Sequence, residues 1–153
     1  MSKKPKFNPK RHSKYHIQNS EKYIGKTVPI CRSTWEYSFC RWCDTNPNVI
    51  EWSSEPLSVP YFDPTTQRKR NYYPDFLIKV INKNDEVETW LIEIKPNKET
   101  KPPRNTKNKK QKTLMNEKQT YRVNQAKWGA AQKLCEIKGW KFKILTEKTI
   151  MKS

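Results

Sequence analysis

From Tyr73 to Lys95 two β-patterned runs are joined by a short polar turn, and few folds can satisfy that pattern. Phe76, Ile78 and Val80 share one parity while Asp75 takes the other. After Asn82-Lys83-Asn84-Asp85, Trp90, Ile92 and Ile94 share a parity and leave Leu91, Glu93 and Lys95 on the opposite one. A period of two places successive side chains on opposite faces of a β-strand, and two such runs joined by a short polar turn predict an antiparallel hairpin. The hairpin expected over 75–81 and 87–95 therefore separates aromatic and branched bulk from charge. It gathers Asp75, Glu93 and Lys95 on one face, and Pro96 ends its second strand.

The flanking sequence supplies the partners such a hairpin needs. Ser33 with Glu36 three residues later forms an S-x-x-E capping box, and Pro47 breaks the helical run beyond Thr45, which predicts a helix over 34–45. At 100° per residue Trp35, Phe39, Trp42 and Cys43 make its apolar stripe, with Glu36 on the border facing inward. The cap alone accounts for Glu36, so a role in a site stands beside that simpler explanation. Short strands come next at 49–52 and 57–61, where Pro56 and Pro60 suit an edge, then a turn at Asp63-Pro64-Thr65-Thr66 and a basic lead-in, Arg68-Lys69-Arg70. Beyond the hairpin, residues 97–119 carry Lys98, Lys101, Arg104, Lys107, Lys109, Lys110, Lys112 and Lys118 against Glu99 and Glu117, and include Pro102-Pro103. That stretch reads as a long flexible basic loop. A second helix is expected over 120–138, capped by Gly139, with Val123, Ala130, Ala131, Leu134 and Ile137 inward, Lys127 inside the stripe and Asn124 at its edge. A strand at 140–145 after that helix favours a parallel crossover onto the same sheet.

The balance of 32 Lys and Arg against 15 Asp and Glu leaves 153 residues with a formal charge of +17. A charge of that size points to a polyanion, nucleic acid first. The length suits one core, and six Trp, seven Tyr and five Phe can build it from large side chains. Residues 1–14 hold Lys3, Lys4, Lys6, Lys10, Arg11 and Lys14 without an acid and are read as a flexible basic arm before a single domain over 15–153. The arm is either a solubilising tail or a phosphate grip. No apolar run suits a membrane span or a secretion signal, so the chain is expected to stay in the cytoplasm. There Cys31, Cys40, Cys43 and Cys135 are expected as buried thiols; Cys40-x-x-Cys43 lacks a second half for a zinc site.

Asp75 and Glu93 supply hard oxygen ligands of the kind Mg²⁺ takes, with Mn²⁺ able to substitute, and the Ile94 backbone carbonyl is a candidate third ligand. Lys95, two residues past Glu93 and so on the same face, is placed to orient a water or to stabilise charge developing on a phosphate. An E-x-K on a strand usually forms no more than a solvated ion pair. What strengthens it here is convergence: Pro74-Asp75 on the neighbouring strand, an inward Glu36, Lys127 and Asn124 on the later helix, and the strongly basic chain.

Pro74-Asp75 with Glu93-Ile94-Lys95 resembles the PD-(D/E)xK motif of the restriction-endonuclease-like nucleases. Arg32-Ser33-x-Trp35-Glu36, Asn46-Pro47-Asn48-Val49, Trp52-x-x-Glu55-Pro56 and Tyr72-Tyr73-Pro74-Asp75-Phe76 resemble the TnsA-type endonucleases and, more closely, the head completion nucleases of T4-like phages. The resemblance covers about residues 30–150. It implies an α/β fold with an αβββαβ core and a mixed sheet flanked by helices, Mg²⁺ dependence, and DNA as substrate. It assigns metal or catalytic roles to Glu36, Asp75, Glu93 and Lys95, and less firmly an accessory role to Asn124 and Lys127. It further implies processing of packaged DNA to permit head-tail joining in the host cytoplasm, with head or portal components as partners and virion association left open. Lys3, Lys4, Lys10, Arg11, Arg68, Lys69, Arg70, Lys107, Lys109 and Lys110 are the expected contacts to DNA, double-stranded and read with little sequence preference, because phosphate contacts position without specifying. Two other readings stay open: a non-catalytic DNA-binding head plug, and a transposase-type strand-cutting subunit.

Overall fold

The computed structural model describes residues 13–150. Within them the chain runs β1 (Ser13–Lys14), β2 (Ile30–Cys31), α1 (Thr34–Thr45), β3 (Val49–Ser54), β4 (Val59–Asp63), β5 (Arg68–Tyr72), β6 (Phe76–Ile81), β7 (Val87–Ile94), α2 (Gln111–Lys138), β8 (Lys141–Leu145) and α3 (Glu147–Ile150). The expected hairpin is β6–β7, paired in the register Phe76↔Ile92, Ile78↔Trp90 and Val80↔Glu88. β3 adds antiparallel to β6, and β8 adds parallel to β7 after the α2 crossover, so a mixed sheet in the order β3-β6-β7-β8 forms the centre. With helices on both faces, this is the restriction-endonuclease-like arrangement.

The period of two in the hairpin decides what each face buries. Phe76, Ile78, Val80, Ile92 and Ile94 pack against Phe39, Cys40 and Cys43 of α1 and against Tyr15 and Trp52. On the opposite face Leu77, Leu91, Phe142 and Ile144 meet Trp128, Ala131 and Cys135 of α2 together with Val59, Tyr61 and Tyr72. Leu91 is fully buried there, and truncating it would cost about 2–5 kcal/mol. It holds α2 at a fixed height over the sheet, two residues along the strand from Glu93. All four cysteines are buried and free, with the Cys31 and Cys40 sulfurs 3.6 Å apart. Asp44, buried near the end of α1, accepts hydrogen bonds from the Tyr15 hydroxyl and the Gln18 and Asn19 amides, tying the N-terminal strap to the helix. Among the described residues no helix is long and apolar enough to cross a membrane.

Both helix ends agree with their sequence signals. Ser33 caps α1 by accepting from the Glu36 amide at 3.1 Å, and Gly139 ends α2 at φ +73°, a left-handed conformation that glycine adopts without strain. Three expectations need correction. α2 begins at Gln111 rather than 120, and a short 3-10 turn occupies Asn97–Thr100, so the irregular segment shrinks to 101–110. The first turns of α2 carry no apolar periodicity because they border a groove rather than the core. The helix is also rotated relative to the expected stripe: Asn124, Trp128, Ala131 and Cys135 face inward, and Ile137 is 83% exposed. Finally, Arg68–Tyr72 is a strand that pairs with β4 in a separate two-stranded ribbon, Val59↔Tyr72 through Asp63↔Arg68. The basic arm expected over 1–14 loses its last two residues to β1, which pairs with β2; residues 1–12 lie outside the described part.

Candidate active site

Continuing the β6–β7 register one residue beyond Phe76↔Ile92 sets Asp75 across from Glu93. The two carboxyl groups are near enough to shift each other's pKa. Asp75 accepts the Ile94 amide at 2.7 Å, which fixes its side chain against β7. The Lys95 ammonium stands 3.6 Å from the Glu93 carboxylate, and the Lys95 amide donates to the Leu145 carbonyl, so β8 anchors the end of this strand. The structure thus brings Asp75, Glu93 and Lys95 together, and it commits the Ile94 N–H to Asp75.

Burial pushes the Asp75 carboxyl well above the usual range, the adjacent Glu93 pushes it further, and the Ile94 amide and Lys95 only partly offset this. Glu93 is 5% exposed, and its carboxyl is likewise raised by burial, against the pull of the Tyr72 hydroxyl, Lys95 and Lys127. Two carboxyls forced together in a poorly solvated place hold a proton between them or call for a cation.

The sequence did not single out Tyr72. Its hydroxyl donates a 2.5 Å hydrogen bond to Glu93 Oε2, and its ring carries the Lys127 ammonium 5.8 Å from the centroid, with Tyr61 at 5.9 Å. The turn at 63–66 was the available signal: had its basic far side been taken as a strand, Tyr72 would have paired with Val59 on the inward face. Lys127 has its pKa lowered by burial and by Lys95, while Glu93 pulls the other way. Asn124, expected at the stripe's edge, is instead at its centre and 4% exposed.

Glu36 caps its helix, and its carboxyl also lies within electrostatic reach of Asp75 and Lys95. Its amide donates to Ser33 Oγ while its carboxylate accepts the Arg32 amide at 2.6 Å, a capping box shifted by one residue. The same carboxyl is close enough to raise Asp75 and to be steadied by Lys95.

Of the expected DNA contacts, Arg68, Lys69, Lys107 and Lys110 are exposed. Arg70 lies 3.5 Å from Asp63. Lys109 is turned inward: its ammonium meets the Arg104 carbonyl at 2.6 Å and Glu117 at 2.8 Å, so it ties the loop down rather than facing solvent. Lys3, Lys4, Lys10 and Arg11 lie outside the described residues.

Among the described residues no group of three His, Cys, Asp or Glu side chains is arranged to hold a metal ion. Mg²⁺ does not need one, since it keeps most of its waters and takes one or two carboxylates. The adjacent, charge-strained Asp75–Glu93 pair with oxygen-only donors fits that requirement.

The family described as TnsA-like endonuclease N terminal matches residues 46–147, a span that contains Tyr72, Asp75, Glu93, Lys95, Asn124 and Lys127 and starts after Glu36. The chain is also similar to the head completion nuclease of Enterobacteria phage T4, 42% identical over 138 residues that cover 88% of this chain and 89% of that protein.

Proposed function

The chain belongs to the TnsA-like endonuclease family, and on that footing we propose that it is a Mg²⁺-dependent DNA endonuclease acting in phage head completion. The observation that carries the reading is the pairing of Asp75 with Glu93 beside the Lys95 ammonium. Asp75, Glu93 and the Ile94 carbonyl would hold the cation, with Glu36 at the border of the site. When bound, such an ion neutralises charge on the phosphate and lowers the pKa of a water.

The protein's own groups do the rest. Asp75 is oriented by the Ile94 amide and Glu93 by the Tyr72 hydroxyl, so neither ligand must be ordered when substrate arrives. Lys95 presents a positive charge where the phosphate gains negative charge in the transition state. Lys127, held on two tyrosine rings, adds a second cation on the α2 side. Arg68 and Lys69 on the ribbon, with Lys107 and Lys110 on the loop, give the duplex phosphate contacts that carry no sequence information, hence weak sequence preference. The likeness to a head completion nuclease supports processing of packaged DNA before head-tail joining, with Mn²⁺ able to replace Mg²⁺.

Electron paramagnetic resonance with Mn²⁺ tests the metal directly. Wild type is expected to bind the ion and Asp75→Ala to lose it; equal binding by both would refute the assignment.

A further inference from the structure

Next to the carboxylate cluster lies a cavity that the cleavage chemistry does not use. It has a volume of about 970 Å³ and runs between the segment after β7 and the N-terminal half of α2, from Pro96 and Lys98 past Lys101 and Arg104 to Tyr121 and Asn124. Its inner end adjoins the active site, because Pro96 comes directly after Lys95 and Asn124 stands one helical turn before Lys127. Asn124 is 4% exposed and lines this cavity. A side-chain amide there can both donate and accept toward a ligand.

The walls set the ligand's chemistry. Lys109 bridges the Arg104 carbonyl and Glu117, which pins the 101–110 segment to α2 and cancels the Glu117 charge. Lys98, Lys101 and Arg104 then face the groove against Glu99 alone, and Tyr121 adds a partly exposed ring. Cations that track a phosphate backbone, an aromatic ring for stacking and an amide for a base edge are the elements of single-strand recognition. The volume is that of a pocket for a molecule of a few hundred daltons, enough for about one or two nucleotides and too small for a duplex.

We propose that this groove binds a short single-stranded stretch of the DNA substrate, leading one strand from the Asp75–Glu93 site along α2, so that cleavage is favoured beside unpaired DNA. The proposal rests on the nuclease reading for its biological sense, but its binding test does not.

The full chain in EDTA is titrated with a labelled single strand of about twelve nucleotides and, separately, with a blunt duplex. The exposed lining residues are changed as Lys101→Glu with Arg104→Glu, and an equal charge change is placed elsewhere as Lys83→Glu with Lys133→Glu. The groove variant is expected to weaken single-strand binding about tenfold more than the control variant does, with duplex binding reduced alike by both. In Mg²⁺, wild type is expected to cut a flapped duplex faster than a blunt one, and the groove variant to lose that preference. Equal losses of single-strand binding in the two variants, or a wild type indifferent to the flap, would overturn the proposal. Groove-specific binding without any cleavage would instead refute the nuclease reading alone.

Discussion

The Tyr72 hydroxyl donates a 2.5 Å hydrogen bond to the Glu93 carboxylate, joining the β4–β5 ribbon to the strand that carries the E-x-K sequence. In the proposed function Tyr72 is a positioning residue that acts through Glu93. Because the partners of metal ligands commonly contribute 10- to 100-fold, Tyr72→Phe is expected to raise the Mg²⁺ concentration needed for half-maximal cleavage about tenfold. A Mg²⁺ titration of rate checks this, and an unchanged midpoint would assign the hydroxyl to stability only.

Asp75→Asn is expected to abolish cleavage and yet stabilise the metal-free fold. The folded state raises the Asp75 pKa through burial and through Glu93. A carboxyl raised in this way contributes stability that is fully present below its unfolded pKa and lost as pH rises through its folded pKa. The wild type gives up that stability progressively as pH rises above the unfolded value, whereas the amide carries no charge to bury. Thermal melting in EDTA at pH 7.5 should show a Tm higher by roughly 3 °C, with the gap closing toward about pH 4.

Much of this site was legible because the hairpin's alternation leaves one register that buries Phe76, Ile78, Ile92 and Ile94 together, and that register alone puts Asp75 across from Glu93. α1 was legible from Ser33 and Glu36, whose cap is local. α2 was not: Asn124 and Trp128 define its inner face, and a polar amide with a large ring does not stand out as a stripe when Val123 and Ile137 offer an apolar alternative. Its true start at Gln111 was hidden because those turns line a groove rather than the core. Tyr72 was missed because charge along Arg68-Lys69-Arg70 obscured a strand whose contribution is made at its far end.

Glu36→Gln separates the two roles of that residue, since glutamine can also complete a capping box. The expectation is a fall in cleavage of about tenfold or more with a Tm within roughly 2 °C of wild type. Cleavage at the wild-type rate would leave Glu36 as a cap alone.

Lys95→Met is expected to lose about 10²–10³ in cleavage rate, the usual contribution of one group aimed at transition-state charge. Lys127→Met, farther back on its tyrosine platform, should lose about tenfold. Single-turnover rates order the two residues, and a larger loss at Lys127 would reverse the roles assigned to them.

Incubation of supercoiled plasmid with the protein and Mg²⁺ tests the central claim most directly. Wild type is expected to nick and linearise the plasmid without a dominant fragment pattern, to stop in EDTA, and to lose this activity as Asp75→Ala. Equal cutting by wild type and Asp75→Ala, or cutting that persists in EDTA, would contradict it.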